Sequence, residues 1–392
     1  MKTLSFSRGL SRVLFWSVIS AAFIGPGTVT TCALAGLNFG TSLLWALSFS
    51  ILATYVLQEA AARITLGSGK SLGEIMIMRH GKNGLWISRL MAGGIILGCA
   101  AYEAGNILGA VSGISLLWSG PTWLISLLIG LGGFILLQIR TISVLTKVLG
   151  LLVFVLGFSF LIVSLPQVQN PAQLLQHSLI PSFPPESALV IAGLIGTTIV
   201  PYNLFLGSGI GQGQTIREMR QGIFPAILIG GIISMAILFS GTLMEGAFSF
   251  QNAASVLTRK MGTWGGILYA VGLFGAGFTS VVTAPLAASL TAKTLLATTP
   301  AQTSWVWKGV LATGLVFGLL AFKPIPVILA AQIANALLLP FVSWQLFRCV
   351  NDTKLLSTEL LNTRSQNLLL LLILLVTILL GVNSLLKAFQ IL

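Results

Sequence analysis

Apolar runs of membrane-crossing length follow one another along almost the whole chain, separated by short segments that hold charges, prolines or glycines. About 20 predominantly apolar residues is the length an α-helix needs to cross the hydrocarbon core. Lipid offers the backbone no hydrogen-bonding partner, so such runs must be helices that satisfy their own amides and carbonyls. Eleven are expected, over 13–36, 42–66, 87–115, 121–139, 143–165, 187–211, 222–248, 263–292, 304–321, 324–347 and 366–388. The composition agrees, since 55% of the 392 residues are hydrophobic and 7% are charged, against roughly a quarter charged in a soluble domain. The chain reads as all-α and integral to the membrane, a single transmembrane domain over 1–392. The apolar run at its start is too long for a removable leader and reads as the first span.

Net charge is +13, which in a soluble protein would point to nucleic acid. Here the basic residues stand singly between apolar spans, so no nucleic-acid partner is expected, and membrane lipid is the surrounding phase. Basic residues concentrate in cytoplasmic loops. With the N-terminus inside, Lys2, Arg8, Arg12, Arg63, Lys70, Arg79, Lys82, Arg89, Arg140, Lys147, Arg217, Arg220, Lys293, Lys308, Arg348, Lys354 and Arg364 all fall on the inner side. Only Arg259, Lys260, Lys323 and Lys387 fall outside, so 17 of 21 obey the rule. A multi-pass plasma (inner) membrane protein with eleven spans, N-terminus cytoplasmic and C-terminus outside, is the expectation. Cys32, Cys99 and Cys349 have no paired spacing and suggest neither a disulfide nor a metal cluster.

Two spans are interrupted. The first holds FIGPGTVTTCALAG, Phe23 to Gly36, and the sixth holds GLIGTTIVPYNLFLGSG, Gly193 to Gly209. Proline lacks an amide hydrogen and clashes with the preceding turn, so Pro26 and Pro201 must kink or break their helices. The Pro- and Gln-rich stretch 166–186, without Lys or Arg, reads as an external linker that divides ten spans into two fives. Five spans between equivalent elements reverse the orientation of the second unit. This predicts inverted repeats over 13–165 and 187–347, with 366–388 as an extra helix. Interrupted helices at matching places in two inverted halves are a pointer to a transporter's midplane site. Backbone groups freed at the breaks must face a polar cavity or a ligand. A channel would carry a repeated filter loop or rings of charge, and neither is found.

The ordered motifs resemble the Nramp family of divalent metal transporters, whose fold is the LeuT type of two inverted five-helix repeats. The similarity extends from the first to the tenth span. AAFIGPGTVTTCALAGLNFG looks like the segment built around Asp-Pro-Gly-Asn, and AYEAGNILGA resembles an Asp-Leu-Ala-Glu segment. IVPYNLFLGS resembles Met-Pro-His-Asn-Leu-Tyr-Leu-His-Ser, and GFTSVVTAPLAA and AAQIANALLLPF also match. The loop holding GSGKS, Gly67 to Ser71, matches the family's loop and lacks the spacing of a nucleotide-binding loop. The resemblance implies alternating access driven by a gradient, with protons as co-substrate, rather than an ATP-driven pump or an enzyme, and no cofactor.

The site departs from the pattern. The family's aspartate, asparagine and methionine ligands are replaced by Gly25, Thr28 and Val200, and its two sixth-span histidines by Tyr202 and Gly207. Glu103 keeps the first acid of the third span, Asn106 replaces the second, and Gln332 is retained. The substrate site is therefore expected at Gly25, Pro26, Gly27, Thr28, Thr197, Thr198, Val200, Tyr202, Asn203 and Gln332, with Glu103 and Asn106 handling protons. Transition metals prefer carboxylate, imidazole or thioether donors, and a desolvated dication among neutral groups is costly. Open amides at a helix N-terminus favour anions. The resemblance extends to amino-acid transporters of the same fold, where a Gly-rich break holds a carboxylate. A small carboxylate-bearing, amino-acid-like solute is thus the leading expectation, with a divalent cation (Mn²⁺, Fe²⁺ or Mg²⁺) as the alternative and an inactive relative as a third. Among the other acids, Glu59 is expected to pair with Arg63 and Glu245 to be solvated. His80 and His177 are expected in loops, and Asn335 on the face of Gln332.

Overall fold

Self-satisfied helices account for nearly all of the chain in the computed structural model, which describes residues 24–80, 84–139, 143–210 and 215–391, and no strand occurs among them. The first half of the opening span, 13–23, lies outside the described residues, as do Lys2, Arg8, Arg12, Lys82 and Arg140. From the first break onward come α1 (Pro26–Phe39), α2 (Leu44–Ser68), α3 (Leu72–His80), α4 (Gly84–Ser115), α5 (Thr122–Ile139) and α6 (Ser143–Ser164). A short α7 (Pro171–Leu179) precedes α8 (Ala188–Thr198) and α9 (Pro201–Ile210), the two halves of the sixth span. There follow α10 (Ile216–Gly241), α11 (Phe250–Met261), α12 (Thr263–Leu295), α13 (Pro300–Leu319), α14 (Pro324–Val350) and α15 (Arg364–Ile391). Among the described residues nine stretches are long and apolar enough to cross a membrane, α8 and α9 counting as one.

Three segments read as connections carry helices of their own. The connection between the spans expected over 42–66 and 87–115 holds α3, whose first turn is closed by Ser71 and Glu74. The Ser71 amide and hydroxyl both donate to Glu74 Oε2 at 2.7 Å, and the Glu74 amide donates back to Ser71 Oγ at 3.3 Å. The linker 166–186 holds α7, started by Asn170, whose side chain accepts from the Gln173 amide. His177 therefore stands on a helix, and its Nδ1 meets Thr41 Oγ1 at 2.7 Å. Beside it the Trp45 indole donates to the Ser182 carbonyl at 2.9 Å. Between α10 and α12, α11 buries Phe250, Ala253, Val256 and Leu257 on one face. The seventh span starts earlier than the expected 222 because Thr215 and Glu218 form a capping box, which satisfies two amide donors that would otherwise be orphaned.

α4 and α12 pack along each other through the middle of the bundle, and α13, α14 and α6 lean on that pair. α1 crosses α10 so closely that a Cβ at Gly36 would fall on the Leu238 carbonyl, and one at Gly241 on the Ala33 carbonyl. With no hydrophobic force between helices in lipid, such small-residue crossings let dispersion hold them together.

One buried ionic knot ties α2 to its neighbours. Glu59 accepts from Arg63 Nε at 3.0 Å, as i,i+4 spacing predicts, and also from Arg220 of α10 at 2.7 Å. Arg63 reaches on to the Leu360 carbonyl and to Asn362 Oδ1. The carboxylate is thus shared by two guanidinium groups, and the segment after α14 is held against α2. Glu245 lies largely exposed, 3.8 Å from Arg259.

Candidate functional site

Both breaks are helix ends and not bends. α1 begins with Pro26 at its first position, where the missing amide hydrogen costs nothing, and Gly25 precedes it in extended conformation with no side-chain cap. α8 ends at Thr198, Ile199 and Val200 leave the helix, and Pro201 opens α9. The first amides of α1 and the last carbonyls of α8 therefore have no partner within their own helices.

Specific side chains satisfy the orphaned carbonyls. The Tyr102 hydroxyl of α4 donates to the Gly196 carbonyl at 2.7 Å, and the Thr54 hydroxyl of α2 donates to the Thr198 carbonyl at 3.3 Å. The two broken spans touch directly, with Thr28 Oγ1 3.1 Å from Thr197 Oγ1. Around this pair lies a cavity of about 10 Å³, roughly the space one water molecule needs. Its walls are Gly25, Gly27 and Thr28 at the start of α1, Tyr102 and Asn106 of α4, Thr197 of α8, Tyr202 of α9 and Ser280 of α12.

Six expected residues meet there: Gly25, Gly27, Thr28, Asn106, Thr197 and Tyr202. The others stand apart from the wall. The Pro26 ring packs against Gly109, where a Cβ would collide with it. The Thr198 hydroxyl turns back to the Leu194 carbonyl at 2.9 Å, and Val200 lies in the apolar core. Asn203 is buried, and both polar atoms of its side chain lack a hydrogen-bond partner. Gln332 sits directly behind Gly27, its amide against the glycine and in hydrogen-bonding contact with Tyr102 Oη. Asn335, one turn on, is also buried.

Glu103 is fully buried one layer out. Its Oε2 lies 3.4 Å from Asn106 Nδ2, its Oε1 has no hydrogen-bond partner, and Gly314 of α13 presses on its backbone and Cγ. Asn106 joins the acid to the cavity wall.

Two wall residues, Tyr102 and Ser280, were not singled out in the sequence. A signal existed for the first. A tyrosine in mid-span must find a partner for its hydroxyl, and Tyr102 precedes the span's only acid. Its ring meets Tyr202 edge to face, centroids 5.6 Å apart. Ser280 has no such mark, because serines are common in these spans.

The donor set is neutral oxygen and nitrogen, with one carboxylate a layer behind. No group of three or more His, Cys, Asp or Glu that could hold a metal occurs among the described residues. Both helix-end polarities are present: the start of α1 favours negative charge and the end of α8 positive charge.

Known proteins extend these observations. Curated relatives include divalent metal cation transporters named MntH. The one from Verminephrobacter eiseniae is 26% identical over 309 residues, covering 72% of this chain and 69% of its own. That from Deinococcus radiodurans is 27% identical over 297 residues, covering 70% and 67%. Among solved structures, a manganese transporter of Eremococcus coleocola superposes with a TM-score of 0.79 at 20% identity, over 97% of this chain and 89% of that one. Mhp1, a nucleobase-cation-symport-1 family transporter, superposes at 0.61 and 14% identity over 95% and 91%. The shared architecture is the LeuT-type fold, with α1 and the α8–α9 pair as its broken spans. The family model for natural resistance-associated macrophage protein-like proteins matches residues 17–387. This all-helical, multi-pass membrane chain belongs to the Nramp family.

Proposed function

We propose that this protein carries a small divalent cation across the membrane by alternating access, the ion lodging between the two broken spans. The observation that carries the reading is the cavity beside the Thr28–Thr197 contact, where both breaks of an Nramp-family chain converge. Its lining is neutral hydroxyl, amide and backbone groups, and the relatives that the chain matches are divalent metal cation transporters. The expected preference for a carboxylate-bearing solute thus gives way to its alternative. The uncapped start of α1 still favours an anion, but no cationic side chain lines the wall to assist it.

The neutral wall narrows the choice of ion. Oxygen donors without thioether, thiolate or imidazole suit hard cations such as Mg²⁺ and Mn²⁺ over soft ones. Full desolvation without an adjacent carboxylate is too costly, so the ion keeps part of its water shell in the open states. Glu103, wholly buried one layer out with no cationic partner, is the group placed to take up and release a coupled proton, with Asn106 between it and the cavity. Repeats over 13–165 and 187–347 supply the two moving halves, in an eleven-span chain with a cytoplasmic N-terminus. Uptake into proteoliposomes across a panel of divalent ions and amino acids, with and without a proton gradient, tests the reading. Saturable Mg²⁺ or Mn²⁺ uptake that the gradient accelerates is expected. Amino-acid uptake without divalent-ion uptake refutes it.

A further inference from the structure

α2 is gripped at two depths. In mid-span its Thr54 hydroxyl donates to the Thr198 carbonyl, where α8 stops. Further along the same helix, Arg63 grips the segment 351–363 that joins α14 to α15. Its two terminal nitrogens donate to the Leu360 carbonyl and, at 2.6 Å, to Asn362 Oδ1. One turn beyond, Gly67 leaves room for the Leu360 side chain to lie on α2, since a built Cβ there would collide with it. The segment has anchors of its own that do not involve α2. Asp352 pairs with Arg79 of α3. Asn351 and Asn367 exchange side-chain hydrogen bonds of 2.8 and 2.7 Å, and Asn362 donates to Asn367 Oδ1 at 3.0 Å. It is therefore a fixed body that α2 touches through Arg63 and Gly67.

Separating a buried ion pair is costly because it strands a charge. Arg63 escapes that cost, because its counter-ion Glu59 stands on the same helix and moves with it. Leaving the segment exchanges only a carbonyl and an amide oxygen for water. The other tie to this pair is also open to water, since the Arg220 side chain is 46% exposed against 4% for Arg63. We propose that the segment 351–363 is a latch on α2, closed in this structure, from which α2 must part at Arg63 and Leu360 in each transport cycle. One helix carries both contacts, so release at Arg63 frees α2 to shift against the break that Thr54 holds. The inference rests on the alternating-access reading above and names a place where one state is held shut.

Two readouts test it separately. The paired variant Gly67→Cys, Leu360→Cys places two thiols where the latch closes, and the native Cys32, Cys99 and Cys349 are buried away from oxidant. Reduced, this protein should take up Mn²⁺. Oxidised, it should lose most of that uptake, keep Mn²⁺ binding, and regain uptake when the bond is reduced. Full uptake by the cross-linked protein overturns the inference, because the segment is then a static brace. The second readout needs no transport. In a Leu360→Cys background, Arg63→Lys keeps a cation beside Glu59, but one ammonium cannot hold both oxygens as the guanidinium fork does. A water-soluble maleimide should then modify the thiol about tenfold faster, the worth of one hydrogen bond to a charged group. An unchanged rate overturns the latch. If the unaltered protein takes up neither Mn²⁺ nor Mg²⁺, the transport reading fails, and the maleimide rate still decides whether Arg63 holds the segment closed.

Discussion

Glu103 is the residue whose environment and chemistry are furthest apart. A carboxyl wholly inside the bundle, with one oxygen unpartnered and the other 3.4 Å from Asn106, has no basic side chain bonded to it. Intramembrane acids of this kind mark ion and proton pathways. Glu103→Gln keeps the shape and removes the titrating group, so proton-driven uptake should be lost while divalent-ion binding stays within a few-fold. Uptake by Glu103→Gln that keeps the parent's response to a proton gradient would remove Glu103 from coupling. Residue identity could be read in the sequence here, but position could not. The span's periodicity places Glu103 on no particular face, and only packing against Gly314 shows it turned toward α13. Thr198 and Val200 show the same limit. Both flank the break, yet Thr198 answers its own helix and Val200 the core.

Helices are fixed at this scale by their ends and by their closest crossings. Gly36 and Gly241 mark where α1 meets α10 backbone to backbone, so Gly36→Ala drives a methyl into the Leu238 carbonyl. Overpacking of this kind costs about 1–3 kcal/mol, and the variant should melt several degrees lower in detergent. An unchanged melting temperature would mean that the crossing is looser than it stands. The start of α3 gives a pH signature. Hydrogen bonds from the Ser71 hydroxyl and then its amide hold the Glu74 carboxyl below the usual carboxylate range. A carboxylate lowered on folding stabilises above its unfolded pKa, and the effect fades as pH falls through the folded value. Glu74→Gln should therefore lose a few tenths of a kcal/mol at neutral pH, small because the site is exposed. The difference from the parent should fade only as pH falls below the usual carboxylate range. A difference constant from pH 7 to pH 3 would contradict the assignment.

At the scale of the molecule, the fold was legible because lipid leaves apolar runs few alternatives and because Pro26 and Pro201 break corresponding spans. The connections were less legible. α3, α7 and α11 are helices too short to cross the membrane, started by caps such as Ser71, Asn170 and Ser249, which hydropathy does not register. Replacement of the family's aspartate by Gly25 points the sequence toward a carboxylate-bearing solute, whereas the relatives that the chain matches are divalent metal cation transporters. What the sequence could not convey is how closely the two breaks approach, Thr28 against Thr197, and that Tyr102 and Ser280 complete the wall between them. The most direct measurement is Mn²⁺ binding followed by electron paramagnetic resonance, in the unaltered protein and in Gly27→Ala. A methyl at Gly27 would collide with the Gln332 amide and crowd Thr197 Oγ1. The account predicts saturable Mn²⁺ binding that Mg²⁺ competes for, amino acids leave intact and Gly27→Ala abolishes. Binding that survives Gly27→Ala unchanged, or that an amino acid displaces, contradicts it.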